Sequence, residues 1–153
     1  MEKLVEIVRI KQEIKEAPEF LQNRKIKSPS DGMEIALEIA HHYIGEDDRE
    51  IFLVLVLNTK NQVIAVHRAH VGAINASIVH PREVFKTAFL NNSSSIIVAH
   101  QHPSGDPNPS REDIQVTKRL VESGEILGVE VLDHLIVTPK KDVFISLKEQ
   151  GYI

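Results

Sequence analysis

Seven consecutive apolar residues, Ile51 to Leu57 in "EIFLVLVL", constrain this chain more than any other feature. A strand with one solvated face alternates apolar and polar side chains, whereas a strand apolar on both faces has to be covered on both. The run is too short to cross a membrane, and no later run approaches the ~20 residues a span needs. It reads as a central strand of a sheet with helices layered on it. "NTKN" then turns the chain into a second strand. "NASIVH" reads as another short strand, "HPREVFKTAFLNN" as a helix with Pro81 in its first turn, and "SSIIVAH" as a buried strand ending at His100. "SREDIQVTKRLVESGEIL" has the spacing of an amphipathic helix. "VEVLDHLIVTP" and "DVFISLKEQG" close the chain as two strands, or a strand and a terminal turn.

Ahead of the apolar run, two helices are expected. Leu4, Ile7, Val8 and Ile14 lie on one face of a helix over 2–16. "APEF" and "KSPSDG" bracket a linker that holds the basic stretch Asn23 to Lys27. Ser30 or Asp31 can cap the second helix, which runs to about Tyr43 and stops at Gly45. A chain of 153 residues holds one domain with a real core. The N-terminal segment has no unbroken apolar stretch, so it reads as neither a leader nor a membrane anchor, and the cytoplasm is the expected location. A net charge of −4 argues against a domain that attracts nucleic acid as a whole. With no cysteine, disulfides and thiolate metal sites are excluded.

The chemistry is concentrated in "HQHPSGDPNPSRED", residues 100–113. Ligand sites in open α/β sheets favour loops at the carboxyl ends of strands, and this loop follows a buried one. Zinc takes imidazole nitrogens and carboxylate oxygens in a tetrahedral shell, and a catalytic zinc keeps three protein ligands. His100, His102 and Asp113 supply that number. Residues i and i+2 of an extended strand point the same way, and the proline-rich loop can bring Asp113 back from the next helix. Ser110 and Asp113 also read, on their own, as a capping box. The two readings can coexist, and capping leaves both histidines unexplained. Competing patterns are missing: there is no His-Glu-x-x-His, no Cys-x-x-Cys, no Gly-x-Ser-x-Gly elbow and no phosphate-binding glycine loop.

The form His-x-His, seven residues, Ser, two residues, Asp resembles the JAMM motif of the MPN/JAB zinc metalloproteases. "SIVHPREVFKTAF", "VAHQHPSGDPNPSREDIQVTKRL" and "VLDHLIVT" resemble its RadC branch, named for a bacterial DNA repair protein. The resemblance covers roughly 28–153, leaving 1–27 as an N-terminal helix and linker. It implies an α/β domain of the MPN/JAB type: a curved mixed sheet with helices packed on it, in cytidine-deaminase-like layering. It implies one Zn2+ per chain, held by His100, His102 and Asp113. Glu50, before the first central strand, would take a proton from the water on the metal and pass it to the leaving amine. Without the resemblance, Glu50 reads as a solvated residue. Ser110 would stabilise the oxyanion. His134, within a family block, would support the site from behind, or be an ordinary core histidine.

The branch usually carries Asn between the histidines. Gln101 stands there, and its side chain should point away from the metal. The usual N-terminal helix-hairpin-helix module has no room in 1–27, which weakens any direct contact with DNA. His41 and His42 on a helix, and His67 and His70 on a strand, read as surface or edge residues. His80 reads as a helix starter. The resemblance implies a zinc-dependent hydrolase of peptide or isopeptide bonds with a peptide or protein substrate. A zinc-containing scaffold in DNA metabolism is the alternative. MPN domains often pair, which leaves a homodimer open, and no membrane partner is expected.

Overall fold

The protein is described from a computed structural model over residues 2–6, 12–13, 15–21, 28–45, 47–75 and 78–153. The all-apolar run forms β1 (Ile51–Leu57), and every residue in it is buried. β2 (Val63–Val71) returns antiparallel to it across the "NTKN" turn. β3 (Ser95–Gln101) pairs antiparallel with the other side of β1 and is likewise buried throughout. β4 (Glu130–Val137) lies parallel to β3, and β5 (Phe144–Ser146) pairs antiparallel with β4. The order is β2-β1-β3-β4-β5, so β1 is interior and β3 takes the middle. The sheet is mixed, as expected, and open and uncurled where a curved one was implied. Helices cover both of its faces, so neither face has to wrap upon itself.

Alternation along the strands sends side chains into two separate cores. Phe52, Val54 and Val56 join Ile96 and Val98 beneath α2 (Pro81–Leu90) and α3 (Arg111–Leu127). Ile51, Leu53, Leu55 and Leu57 join Ile97, Ala99 and Leu135 beneath α1 (Pro29–Ile44). Each such Val, Leu, Ile or Phe side chain, fully buried, contributes about 1.5–3 kcal/mol. β4 departs from strict alternation. Ile96 pairs with Val131 but Ile97 with Asp133, so Leu132 is an extra residue in a bulge.

Several elements differ from expectation at their edges. α1 begins before Ser30: Ser28 is its cap, accepting from the Asp31 N–H at 3.2 Å, because Pro29 suits the first helical position. Gly45 ends α1 with a φ of 62°, as a stop glycine should. Residues 2–6, 12–13 and 15–16, within the expected first helix, are not helical. Leu4 and Val5 are 96% and 87% exposed, so at these described positions no packing supports a helix, and a short helix without packing is only marginally stable. Ile7, Val8 and Ile14 lie outside the described residues, as does the basic stretch Asn23 to Lys27. The short strand expected at "NASIVH" is absent at its described residues. The N–H groups of Ile78 and Val79 turn back to the Asn75 carbonyl at 3.1 and 3.0 Å. The Asn75 side chain also accepts from Ile78, the local bonding by which asparagine favours turns.

Gly124 sits inside α3, where the Val129 N–H meets its carbonyl at 3.0 Å. A Cβ built there would overlap the Val129 carbonyl oxygen and touch Phe85. In an open helix Gly→Ala stabilises by about 1 kcal/mol. Gly124→Ala should instead cost about 1–3 kcal/mol through overpacking, read as a lowered urea midpoint.

Candidate metal centre

β3 runs in the middle of the sheet with its carboxyl end at the start of the proline-rich loop. His100 pairs with Phe52, so it faces the α2/α3 side and is wholly buried. The chain stays extended for one more step, because the His102 N–H donates to the Val137 carbonyl at 2.9 Å. His102 therefore shares the face of His100, while Gln101 points the other way and donates to the Asp47 carbonyl at 2.8 Å. The loop then folds back on His102: its Nδ1 lies 2.8 Å from the Asp106 carbonyl oxygen. A carbonyl only accepts, so Nδ1 carries the proton and a neutral His102 has a bare Nε2.

The start of α3 aims the carboxylate. Ser110 Oγ accepts from the Asp113 N–H at 3.0 Å, and the Ser110 N–H donates to Asp113 Oδ2 at 2.7 Å. This is the capping box expected from the sequence, and Asp113 is only 3% exposed within it. His100 Nε2 and His102 Nε2 are 3.0 Å apart, and each lies 3.1 Å from an oxygen of Asp113. Ligand atoms around a tetrahedral zinc with bonds of ~2.0–2.1 Å lie about 3.3 Å apart. The two nitrogens are close to that spacing before any ion is considered, each imidazole faces its own Asp113 oxygen, and the donor types are those zinc takes. The three residues fit the metal that the sequence motif implies, and they are the group able to hold an ion among the described residues.

The electrostatics agree with the geometry. Burial pushes the Asp113 carboxyl up, but hydrogen bonds from His100 and His102 in their protonated forms outweigh it and hold the group well below the ordinary carboxylate range. His102 is raised, chiefly by its hydrogen bond with Asp113, with a smaller contribution from Glu50. Glu50 precedes Ile51 and so faces the same side as Phe52. Its carboxylate accepts from the Ile74 N–H at 3.2 Å, and its carbonyl from the Gly72 N–H at 2.7 Å. It is a half-buried, anchored carboxylate on the face of the cluster rather than a freely solvated residue.

His134 is buried completely, which pushes its imidazole well below the usual range. Its Nε2 is 2.8 Å from His100 Nδ1. Thr117, which the sequence reading did not single out, stands 2.6 Å from its other nitrogen. Thr117 follows Asp113 by four residues, so helical spacing could have placed it on the same face. Ser110 is exposed at the mouth of the site. His67 and His70 lie on the edge strand β2, and His41 and His42 in the last turn of α1. His80 caps α2, its Nδ1 accepting from the Arg82 N–H at 3.2 Å. A cavity of about 400 Å³ between α1 and β3–β5 lies on the opposite face, lined by Met33, Ile97 and Leu135.

A family model described as the RadC-like JAB domain matches residues 26–152. The UPF0758 protein YsxA of Bacillus subtilis (strain 168) is 52% identical over 128 residues, covering 84% of this chain and 53% of that protein. A UPF0758 protein of Geobacillus thermodenitrificans (strain NG80-2) is 54% identical over 132 residues, covering 84% and 54%. One from Bacillus pumilus (strain SAFR-032) is 49% identical over 128 residues, again covering 84% and 54%. The chain spans about half the length of these curated relatives. No helix among the described residues is long and apolar enough to cross a membrane. The sheet, the His-x-His strand end and the matched span agree: the chain belongs to the RadC-like JAB domain family.

Proposed function

We propose that this domain is a zinc-dependent hydrolase of the JAMM type, acting on a peptide or isopeptide bond. The observation that carries the reading is the triangle of His100, His102 and Asp113, with an anchored carboxylate, Glu50, on the same face. His100 Nε2, His102 Nε2 and an Asp113 oxygen would hold the ion. When bound, zinc supplies Lewis acidity and brings the pKa of water down to about 7. Glu50 takes the proton of a water lying before the cluster as that water attacks the scissile carbonyl carbon. It returns the proton to the leaving nitrogen as the C–N bond breaks, so the carboxylate is regenerated. Ser110 spends a lone pair on the Asp113 N–H, which leaves its hydroxyl proton free to donate to the developing oxyanion.

Replacing both His100 and His102 by Ala should abolish stoichiometric zinc, measured by elemental analysis of untagged protein. One tightly held zinc in that double variant would refute the ligand assignment. Ser110→Ala should lower stability by about 1 kcal/mol through the lost cap. Turnover should fall about a hundredfold or more if the hydroxyl meets the oxyanion. A variant destabilised by that amount but fully active would leave Ser110 as a cap alone.

Glu50→Gln separates a hydrolase from a zinc-containing scaffold. The amide oxygen can still accept from Ile74, so zinc content and melting temperature should hardly change. Cleavage should drop by about two orders of magnitude or more, the usual worth of a general base. The assay is a panel of peptide and isopeptide-linked substrates, screened first with the unaltered protein. Equal cleavage by Glu50→Gln with zinc retained would defeat the mechanism. No cleavage by the unaltered protein across the panel would favour the scaffold.

A further inference from the structure

Behind the candidate ligands runs a chain of polar groups that hydrolysis does not call upon. His134 Nε2 lies 2.8 Å from His100 Nδ1, and His134 Nδ1 lies 2.6 Å from Thr117 Oγ1. Thr117 Oγ1 donates to the Asp113 carbonyl oxygen at 2.8 Å. That carbonyl has no proton to give, and the hydroxyl has only one. With its proton committed, Thr117 can meet His134 only as an acceptor, so His134 Nδ1 bears a proton. A neutral His134 then has a bare Nε2, which accepts from His100 Nδ1–H. A neutral His100 is left with a bare Nε2, the atom that faces His102 and Asp113. The reverse order would leave Thr117 Oγ1 and the Asp113 carbonyl oxygen in contact with no proton between them, in a place where Thr117 is 1% exposed.

We propose that Thr117 and His134 are positioning residues that fix the tautomer of His100, so that its Nε2 lone pair is presented to a divalent cation before one arrives. The circuit closes on itself, because the helix that carries Thr117 also carries Asp113. His102 is set independently, by the Asp106 carbonyl in the loop. The two imidazoles are thus oriented by different elements, one by the loop and one by β4 and α3. The inference rests on His100 being a ligand, but the order of protons is a property of the metal-free chain and can be read there.

The test begins with long-range proton–nitrogen NMR correlations on metal-free protein with isotopically labelled histidines, at about pH 8, above the ordinary imidazole range. His134 and His100 should both carry their proton on Nδ1. Thr117→Val, nearly isosteric, removes the anchor; His100 and His134 should then show mixed tautomers. Zinc affinity, read by competition with a chromophoric chelator, should fall about 10–100-fold, as for other groups that orient a ligand. Thr117→Ser keeps the hydroxyl and should restore both readouts. Phe52 stacks on His100 and meets His134 edge-on, at ring separations of 6.1 and 5.7 Å, without a hydrogen bond. Phe52→Leu should therefore leave the tautomers as they are. A proton on Nε2 of His134 or His100 in the unaltered protein overturns the proposal, as does Thr117→Val with unchanged tautomers and affinity. If the unaltered protein shows the expected tautomers but binds no zinc, the hydrolase reading falls and the relay stands. If it binds zinc with the opposite proton order, the relay falls and the hydrolase reading stands.

Discussion

Two imidazole nitrogens 3.0 Å apart, each 3.1 Å from its own oxygen of one carboxylate, with two of the three residues almost wholly buried, repel unless something positive lies between them. The rest of the structure is arranged around keeping that contact. β3 is held between β1 and β4, which fixes the direction of His100. The loop fixes His102 by its far nitrogen. The capping box fixes Asp113 through a backbone N–H. Each of the three groups is secured by a different element, so none can turn away from the others without breaking a hydrogen bond of its own. A proton shared by His102 and Asp113 can relieve the repulsion in part, and the raised pKa of His102 is that tendency expressed. A divalent cation relieves it fully.

This division of labour explains why the cap and the site do not compete. A capping box needs an acidic side chain at the third helical position, bonded to the backbone of the cap residue. The Asp113 carboxylate does this with Oδ2 and still has both oxygens against the imidazoles. Helix initiation and site formation thus use the same atoms in the same geometry.

Much of the site was legible because it is local. The strand end, the proline-rich loop and the first turn of α3 lie within residues 100–113, and strand parity and capping chemistry suffice to bring them together. His134 was less legible, since its meeting with His100 spans 34 residues and depends on the pairing of β3 with β4. Thr117 carries no signal except its helical distance from Asp113. The expected first helix shows the limit of periodicity, which says which face of a segment would be covered and not whether a surface exists to cover it. Leu4 and Val5 have no such surface. At the described residues of "NASIVH" the expected strand gave way for a different reason: the asparagine side chain satisfies the Ile78 N–H locally and competes with sheet pairing.

The extra residue in β4 has a consequence for how this sequence could change. With strict alternation from Val131, His134 would fall on the face of Leu135's neighbours under α1, and the imidazole would be carried to the wrong side of the sheet. The bulge at Leu132 puts two successive residues on the α1 side and returns His134 to the side of His100. Loss of a single codon there would leave the hydrophobic content of the strand nearly intact while exchanging the occupants of its two faces. β4 is therefore a segment where lengthening or shortening is far more damaging than substitution, and lineages of such domains should drift here in residue type but not in number.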